Sequence, residues 1–327
     1  MNWSHQKVLV TGAGGFIGSH LTERLVESGA RTRALIRYNA ATSWGWLDHS
    51  SVRADVEMIV GDIRDHDSLK RAMQGVDVVF HLAALISIPY SYHAPLSYLH
   101  TNTEGTLNVL QGALEAGVSL VVHTSTSEVY GTARYVPIDE DHPLQAQSPY
   151  AASKIGADKI AEAFHCSYGM PIATVRPFNA FGPRQSARAV TPTIITQCLT
   201  GNKVRLGNVS PTRDLNYVGN IVDGFVRVAE TPAAIGRTLN IGSGREVSIG
   251  RLARLIADRM GKCIEIELDE ERMRPGQSEV DRLLADNKAA RQALGWEPLI
   301  SLEEGLQITI DWMRSHLDAY RPGTYLV

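Results

Sequence analysis

A glycine-rich turn near the start of the chain constrains its fold more than any other segment. The turn follows the apolar run Val8–Val10, precedes a helix-like segment, and consists of Thr11-Gly12-Ala13-Gly14-Gly15-Phe16-Ile17-Gly18. Glycines let the backbone bend sharply and approach a pyrophosphate, which then lies at the positive end of the following helix. Because the turn stands between a strand and a helix, it predicts a dinucleotide site formed by Gly12, Gly15, Phe16, Ile17 and Gly18.

The first half of the chain alternates apolar, strand-like runs with helical patterns. We predict strands over 8–10, 33–36, 57–60, 76–81, 120–124 and 172–176, and helices near 17–28, 67–73, 95–116 and 149–168. This alternation is typical of a Rossmann-type α/β fold, in which a doubly wound parallel sheet binds its cofactor across the carboxyl ends of the strands.

A change of pattern after Arg176 predicts a second unit. Turn-rich segments appear there, with helices expected near 190–200, 219–230, 248–260 and 302–318 and a strand at 238–241. We therefore predict a dinucleotide-binding domain over residues 1–176 and a smaller α/β substrate-binding lobe over 177–327. Some segments of this lobe are expected to return to the N-terminal domain.

Composition argues against several classes of function. The net charge of −3 gives no sign of nucleic-acid or membrane-surface binding. No apolar run reaches the roughly 18 residues that a membrane helix needs, and no signal segment is evident. The three cysteines, Cys166, Cys198 and Cys263, lack metal-ligand spacing. They favour a reduced, cytoplasmic protein with buried thiols and no bound metal.

A tyrosine and a lysine four residues apart provide a second chemical signal. On a helix, Tyr150 and Lys154 would lie on one face, one turn apart. A phenol has a pKa of about 10, and a nearby ammonium group together with a cofactor cation favours its phenolate form. Such a phenolate can take the proton of a substrate hydroxyl while hydride leaves the carbon, which predicts an NAD(P)-dependent enzyme.

Further segments occur in an order typical of one family. They are His81-Leu82-Ala83-Ala84, Asn102-Thr103-Glu104-Gly105-Thr106, Arg176-Pro177-Phe178-Asn179, Arg213-Asp214-Leu215-Asn216-Tyr217 and Asn240-Ile241-Gly242-Ser243-Gly244. With them the chain resembles the extended short-chain dehydrogenase/reductases, the NAD-dependent epimerase/dehydratase family that acts on nucleotide sugars. The resemblance implies cofactor contacts by Leu82, Ala83, Ala84, Asn102, Tyr150 and Lys154.

The segment 125–131 narrows the reaction within that family. The resemblance implies that Thr126 hydrogen-bonds the hydroxyl being oxidised and that Glu128 removes the C5 proton, which oxidation at C4 acidifies. Water then leaves from C6, as in nucleotide-sugar 4,6-dehydratases. Position 127 is Ser127, where dehydratases of the dTDP-glucose type carry Asp. GDP-mannose 4,6-dehydratases resemble this chain in having Ser followed by Glu.

Several reactions stay open beside 4,6-dehydration. UDP-glucuronate decarboxylases also have a Thr-Ser-Glu pattern, and a decarboxylase or C4-epimerase of a uronic acid would need Arg184 or Arg188 beside C5. Within 4,6-dehydration, the leading interpretation is a dehydratase of N-acetylhexosamine nucleotides in legionaminic-acid-type pathways, which the segment around Trp44 and Trp46 resembles together with segments 87–92, 185–190 and 274–280. We expect these two rings to pack against the adenosine edge or a dimer partner.

An alternative of another class is a cofactor-binding regulatory module without turnover. The intact set of Thr126, Tyr150 and Lys154 argues against that alternative, because a non-catalytic protein gains little from a tuned phenol.

The end of the second predicted strand carries Arg37 and no acidic residue. An acid there would bind the ribose hydroxyls and select NAD, whereas an arginine can pair with a 2′-phosphate or stack on adenine. We therefore expect NAD(P), with NADP slightly favoured. Asp62 and Ile63, after the third strand, are expected beside the adenine.

A nucleotide-sugar substrate carries a diphosphate, which calls for cationic and polar groups. Arg213 is the first candidate, and nothing in the sequence identifies the base. The predicted substrate-binding residues are Ser87, Tyr90, Ser127, Asn179, Arg188, Arg213 and Arg274.

The helices predicted near 95–116 and 149–168 carry an apolar stripe that includes Leu96, Leu99, Leu107, Leu110 and Leu114. In the resembled family these two helices pair across a dyad to form a four-helix bundle. The stripe therefore predicts a homodimer, and burial within one subunit is the alternative.

Overall fold

Seven parallel strands form the centre of the protein in the computed structural model, which describes residues 1–320. Each of the six strands predicted for the first half is present within two residues of its predicted bounds. In chain order the strands are β1 (Lys7–Thr11), β2 (Arg31–Ile36), β3 (Glu57–Val60), β4 (Val78–His81), β5 (Leu120–Thr124), β6 (Ile172–Pro177), β7 (Asn179–Phe181), β8 (Lys203–Leu206), β9 (Thr212–Tyr217), β10 (Thr238–Ile241), β11 (Glu246–Ser248) and β12 (Glu265–Leu268).

The helices connect these strands and cover both faces of the sheet. They are α1 (Phe16–Glu27), α2 (His66–Ala72), α3 (Ile88–His93), α4 (Pro95–Tyr98), α5 (Gly105–Ala116), α6 (Pro149–Tyr168), α7 (Val190–Thr200), α8 (Val218–Glu230), α9 (Ile249–Arg259), α10 (Lys288–Leu294) and α11 (Leu302–Ser315). Helix α6 starts at Ser148, whose hydroxyl accepts the Ala151 N–H, and ends at the left-handed Gly169.

The order of the central sheet is β10-β6-β5-β4-β1-β2-β3, and all its pairings are parallel. The order reverses at β1, so a crevice opens between the ends of β1 and β4, where Thr11 lies opposite His81. Ligands of doubly wound sheets bind at such a point. The predicted Rossmann-type fold is confirmed.

Two apolar cores cover the faces of this sheet. One includes residues of α1 and α8, such as Leu21 and Phe225, and the other includes residues of α2 and α5, such as Leu69 and Leu110. Strands β4 and β5 consist almost entirely of buried residues, which is the pattern of parallel strands covered on both faces.

A third apolar core lies in the C-terminal half, around α7, α9 and α11. Its small sheets have the orders β11-β9-β7 and β12-β8. Strand β10 returns to the central sheet beside β6, and α8 packs on α1. The domain boundary after residue 176 stays a prediction, and residues 321–327 of the predicted lobe lie outside the described residues.

The sequence-based helix over 95–116 is wrong in detail. The structure divides it into α4, a π-helical stretch at Leu99–Glu104, and α5. A π-helical stretch often marks a functional site in a helix, and this one carries Asn102. Helices α3 and α10 and strands β7, β8, β9, β11 and β12 were not predicted. Strands β1 to β6 are equally short but stand out as apolar runs, whereas the missed elements carry no such signal.

The prediction of buried thiols is wrong for two of the three cysteines. Cys166 and Cys263 are exposed, and only Cys198 is buried; all three are free thiols. Cys166 lies on the solvent side of α6 and Cys263 in the turn before β12. Within residues 1–320, no helix combines the length and the apolar character that a membrane crossing requires.

Candidate active site

The glycine turn lies at the carboxyl end of β1 and is closed by backbone contacts. Gly12 has a φ of +71°, and a Cβ there would lie 2.8 Å from Ala83 N. A Cβ on Gly18 would overlap the carbonyl oxygen of Gly12. Neither position accepts a side chain, so the tight packing of the turn requires glycine at both.

Helix α1 begins directly after this turn without a side-chain cap. Its N-cap is Gly15, and Phe16 and Ile17 are its first residues. Uncapped amides and the helix dipole form a site for an anionic group. The residues predicted from the sequence therefore fit the pyrophosphate of a dinucleotide.

Thr11 organises the loop that follows β4. Its hydroxyl oxygen accepts the N–H groups of Leu82 and Ala83, both at 3.1 Å, and lies 2.8 Å from His81 Nδ1. Ala84 continues the same loop. The backbone amides of Leu82 and Ala83 are thus used within the protein, and the two residues form the wall of the crevice beside Gly12.

Asn102 holds the same loop against α6. Its Oδ1 accepts the Leu85 N–H at 2.8 Å, and its Nδ2 donates to Leu85 O at 2.9 Å and to Ser153 Oγ at 3.0 Å. Both amide donors are therefore used, which indicates a positioning role. The contact of Asn102 with the cofactor stays a prediction.

Tyr150 and Lys154 lie one turn apart on α6, and both are buried. Lys154 Nζ donates to Thr124 O at 2.7 Å. Burial raises the pKa of Tyr150 above its ordinary value, whereas a hydrogen bond with Thr126 opposes that shift. Burial also lowers the pKa of Lys154 to about 8. Both groups are therefore held uncharged more readily than in water, and a cation bound beside Tyr150 would favour its phenolate.

Glu128 lies beside this pair on a 3-10 helix, Ser127–Tyr130, that follows β5. Thr126 is the N-cap of that helix and accepts the Glu128 N–H at 3.2 Å. Glu128 is 8% exposed, and its charge contributes to the raised pKa of Tyr150. Ser127 is buried next to it. The structure thus brings the four predicted catalytic side chains together at the end of β5.

Two predicted phosphate ligands converge on one carboxylate near Glu128. Arg213 Nη2 and Arg274 Nη1 lie 3.3 Å and 3.5 Å from Glu279 Oε1. Burial lowers the pKa of Arg213, and the charges of Glu128 and Glu279 oppose that shift. Sequence reasoning missed Glu279. Guanidinium groups bind phosphate oxygens in a bidentate geometry, and these two lie close enough together to share one anionic ligand.

Asn179 begins β7 at the edge of the same cleft. Its Oδ1 is buried, and no hydrogen-bond partner is present among the described residues. A buried amide oxygen without a partner costs free energy unless a ligand or water supplies a donor. This orphaned atom fits the predicted role of Asn179 in binding substrate.

Three tyrosines, Tyr90, Tyr98 and Tyr150, pack in series along one side of the site. The ring of Tyr98 lies 6.1 Å from that of Tyr150 and 6.2 Å from that of Tyr90, and its hydroxyl donates to the carbonyl of Ser87. Burial raises the pKa of Tyr98 to about 12, and the charge of Arg188 opposes that shift. Ser87, Tyr90 and Arg188 are therefore brought to one side of the site. Sequence reasoning missed Tyr98.

Arg184 lies elsewhere. Its two terminal nitrogens donate to the Glu23 carboxylate on α1, each at 2.9 Å, and Nη1 also lies 3.2 Å from Ser19 Oγ. This bidentate pair is largely shielded from solvent. Arg184 was one of two arginines predicted to bind a uronic acid carboxylate. Its guanidinium group is instead paired with Glu23 on α1.

The predicted adenosine side contains Arg37, Asp62 and Ile63. The hydrogen bond from Arg64 holds the pKa of Asp62 below its ordinary value, and the charge of Arg37 acts in the same direction. Arg64 Nη2 lies 2.6 Å from Asp62 Oδ2. Arg37 is exposed, and Ile63 is buried against Gly105.

A buried polar network around Asp158, which sequence reasoning missed, places a negative charge near Lys154. Asp158, one turn after Lys154, accepts hydrogen bonds from Ser125 Oγ at 2.7 Å and Arg176 Nη2 at 3.0 Å, and lies 3.1 Å from His123 Nε2. Burial would raise the pKa of Asp158, but the His123 hydrogen bond and the Arg176 charge lower it to about 2. The spacing of Tyr150, Lys154 and Asp158 was the signal that could have found it.

Comparisons with known proteins agree with this geometry. A family model described as GDP-mannose 4,6 dehydratase matches residues 9–309. The chain is 35% identical over 316 residues to a UDP-glucose 4-epimerase from Mycolicibacterium smegmatis, covering 94% of this chain and 99% of that protein. It is 31% identical to UDP-glucuronic acid decarboxylase 1 from Xenopus tropicalis, covering 98% of this chain and 75% of that protein. The solved dTDP-glucose 4,6-dehydratase DesIV from Streptomyces venezuelae, with NAD bound, has a TM-score of 0.88 at 30% identity and covers 97% of this chain and 99% of that one.

The glycine turn, the Tyr150–Lys154 pair and the parallel sheet define an extended short-chain dehydrogenase/reductase. The chain belongs to the GDP-mannose 4,6 dehydratase family, within the NAD-dependent epimerase/dehydratase group. The relatives of this chain include epimerases, decarboxylases and dehydratases. Family membership therefore identifies the group of enzymes and not the reaction.

We predict that Asp158→Asn lowers the free energy of unfolding by about 3–5 kcal/mol, because it leaves the buried Arg176 without its carboxylate. Urea denaturation measures this loss. The control is Lys159→Ala, which removes an exposed ion pair with Glu162 on the same helix and should change stability little. Equal effects of the two substitutions would contradict the role given to Asp158.

Proposed function

We propose that the protein is a nucleotide-sugar 4,6-dehydratase, a lyase that converts an NDP-hexose or NDP-N-acetylhexosamine to a 4-keto-6-deoxy sugar. The observation that carries this proposal is the buried carboxylate of Glu128 beside Tyr150. Abstraction of a proton from C5 requires a base in addition to the one at O4. Two acid–base groups in one water-poor site meet that requirement.

Each side chain has a separate task in this proposal. A bound nicotinamide would supply a hydride acceptor for C4 and a hydride donor for C6. Tyr150 takes the O4 proton, Thr126 orients O4, and Lys154 holds the nicotinamide ribose and stabilises the phenolate. Glu128 takes the C5 proton and passes it to the departing C6 hydroxyl, because Ser127 is a poor proton donor at neutral pH. Hydride return to C6 is balanced by a proton delivered to C5, which replaces the one that Tyr150 took from O4. Arg213 and Arg274 bind the diphosphate.

Decarboxylation of a uronic acid is the second candidate. It requires a cation beside C5 for the carboxylate, and the engagement of Arg184 with Glu23 disfavours one of the two candidates. Arg188, near Tyr98, is the residue that supports this reaction. A C4-epimerase needs no carboxylate at position 128, and a non-catalytic module does not explain the buried Tyr150 and Glu128 together.

We predict that Glu128→Gln still oxidises C4 and accumulates reduced cofactor on the enzyme, while release of 4-keto-6-deoxy product falls by about 10²–10⁴-fold, the range for a lost general acid or base. Absorbance of the reduced nicotinamide and mass analysis of the product measure the two effects. Glu162→Gln, an exposed carboxylate on α6, is the control. Normal turnover by Glu128→Gln would overturn the assignment.

The cofactor is proposed as NAD(P), with NADP slightly favoured by Arg37. The solved relative DesIV holds NAD, which supports the dinucleotide but not that preference. We predict that Arg37→Ala weakens NADP binding about tenfold, as expected for a lost charge-assisted hydrogen bond, and changes NAD binding little. Calorimetric titration with each dinucleotide measures this. Equal losses for both would mean that Arg37 contacts adenine instead.

We further propose a cytoplasmic homodimer formed through a four-helix bundle. Leu96, Leu99, Leu107 and Leu114 are between 37% and 62% exposed in the single chain, whereas Leu110 is buried. Burial within one subunit is complete only for Leu110, and the exposed apolar area of the other four supports a partner surface. Light scattering should give twice the chain mass of 35.8 kDa; a monomer would contradict this proposal.

A further inference from the structure

The segment 39–49 crosses over the glycine turn after leaving β2. Trp46 N–H donates to the carbonyl of Gly14 at 3.0 Å. A Cβ on Gly14 would overlap Trp44 O, and a Cβ on Gly45 would overlap Gly14 O. The two backbones therefore touch directly, and glycine is required on both sides of the contact.

Hydrogen bonds within the segment give it a fixed shape. The Asn39 side chain donates to Ser43 O at 2.8 Å and accepts the Ser43 N–H at 3.1 Å. Asp48 accepts the Ser43 hydroxyl at 2.6 Å and the Trp44 N–H at 3.1 Å. The segment is thus a preformed structure and not an extended connection.

Trp46 and Ser50 attach the segment to other elements of the fold. The ring of Trp46 lies 5.4 Å from that of Trp312 on α11, and Trp312 stacks on His316. Ser50, directly after the segment, donates to Glu23 at 2.6 Å, and Glu23 also binds Arg184. Trp46 was expected to pack against the adenosine edge or a dimer partner, and its ring lies instead against the chain's own helix α11.

We propose that residues 39–49 are a strap that retains the dinucleotide through successive turnovers, with Trp46 and Trp312 as its positioning residues. The strap starts at the end of β2, where the adenosine side of a dinucleotide lies, and closes over the turn expected to bind the pyrophosphate. This inference rests on the proposed reaction, in which the hydride returns to the sugar and no exchange of cofactor is required. Release between the two hydride transfers would leave a keto intermediate unfinished.

The direct test is release of labelled NAD from loaded protein into an excess of unlabelled NAD, without substrate. Loss of an aromatic pair and its buried area in Trp46→Ala should speed release about tenfold, equivalent to 1.4 kcal/mol. Trp46→Phe keeps a ring against Trp312 and should stay within about threefold of the unchanged protein. Slow release from Trp46→Phe would show that the ring contact with Trp312 controls the release rate.

A second variant tests the strap independently of the tryptophan. Gly45→Ala places a methyl group against the Gly14 carbonyl and should also speed release. Gly75→Ala is the matched control, because Gly75 has a similar positive φ of +64° but no atom within 4 Å of its Cβ position. Its release rate should equal that of the unchanged protein.

Equal release rates for Trp46→Ala, Gly45→Ala and the unchanged protein would overturn the inference. Because release is measured without substrate, failure of the proposed dehydration would leave this result intact. A protein that binds NAD with strap-dependent release but gives no dehydrated product supports the strap and contradicts the proposed reaction.

Discussion

The site depends on keeping an ammonium group charged inside the protein. Lys154 is buried and its pKa is lowered to about 8, so a nearby negative charge is needed to hold its proton. Asp158 provides that charge, and its own ionised form is held by Ser125, His123 and Arg176. These interactions connect β5 and β6 to α6 and, through Lys154, to the crevice. The same buried network therefore stabilises the fold and positions the reactive lysine.

Periodicity and motif spacing were enough to predict the parts of this fold that are regular. The central strands alternate with α-helices except between β2 and β3, and α6 and α7 begin and end where they were predicted. The short strands β7, β9 and β11 were missed because their pairing depends on long-range contacts. The helix over 95–116 was predicted as continuous, since a π-helical stretch leaves no signal in hydrophobic periodicity.

Single residues of the site were predictable where chemistry dictates them, such as Tyr150 and Lys154. Glu279 was not, because it reaches Arg213 only through folding, from 66 residues away in the sequence. Asp158 lies one turn beyond Lys154 on the same helix, and that spacing was overlooked. Arg184 illustrates the limit most clearly. Its place in the sequence suggested a substrate ligand, yet it binds Glu23 on α1, whereas Arg213 and Arg274 converge near Glu128. Sequence identifies which side chains can react, and packing determines which of them meet.

The reaction is decided by the mass of the product formed from each of several sugar nucleotides. The purified protein would be incubated with UDP-GlcNAc, GDP-GlcNAc, GDP-mannose, dTDP-glucose and UDP-glucuronate, and each product mass determined. The roles given to Glu128 and Tyr150 predict that one hexose nucleotide loses the mass of one water. Loss of carbon dioxide from UDP-glucuronate, or an isomer of unchanged mass, would contradict the proposed dehydration.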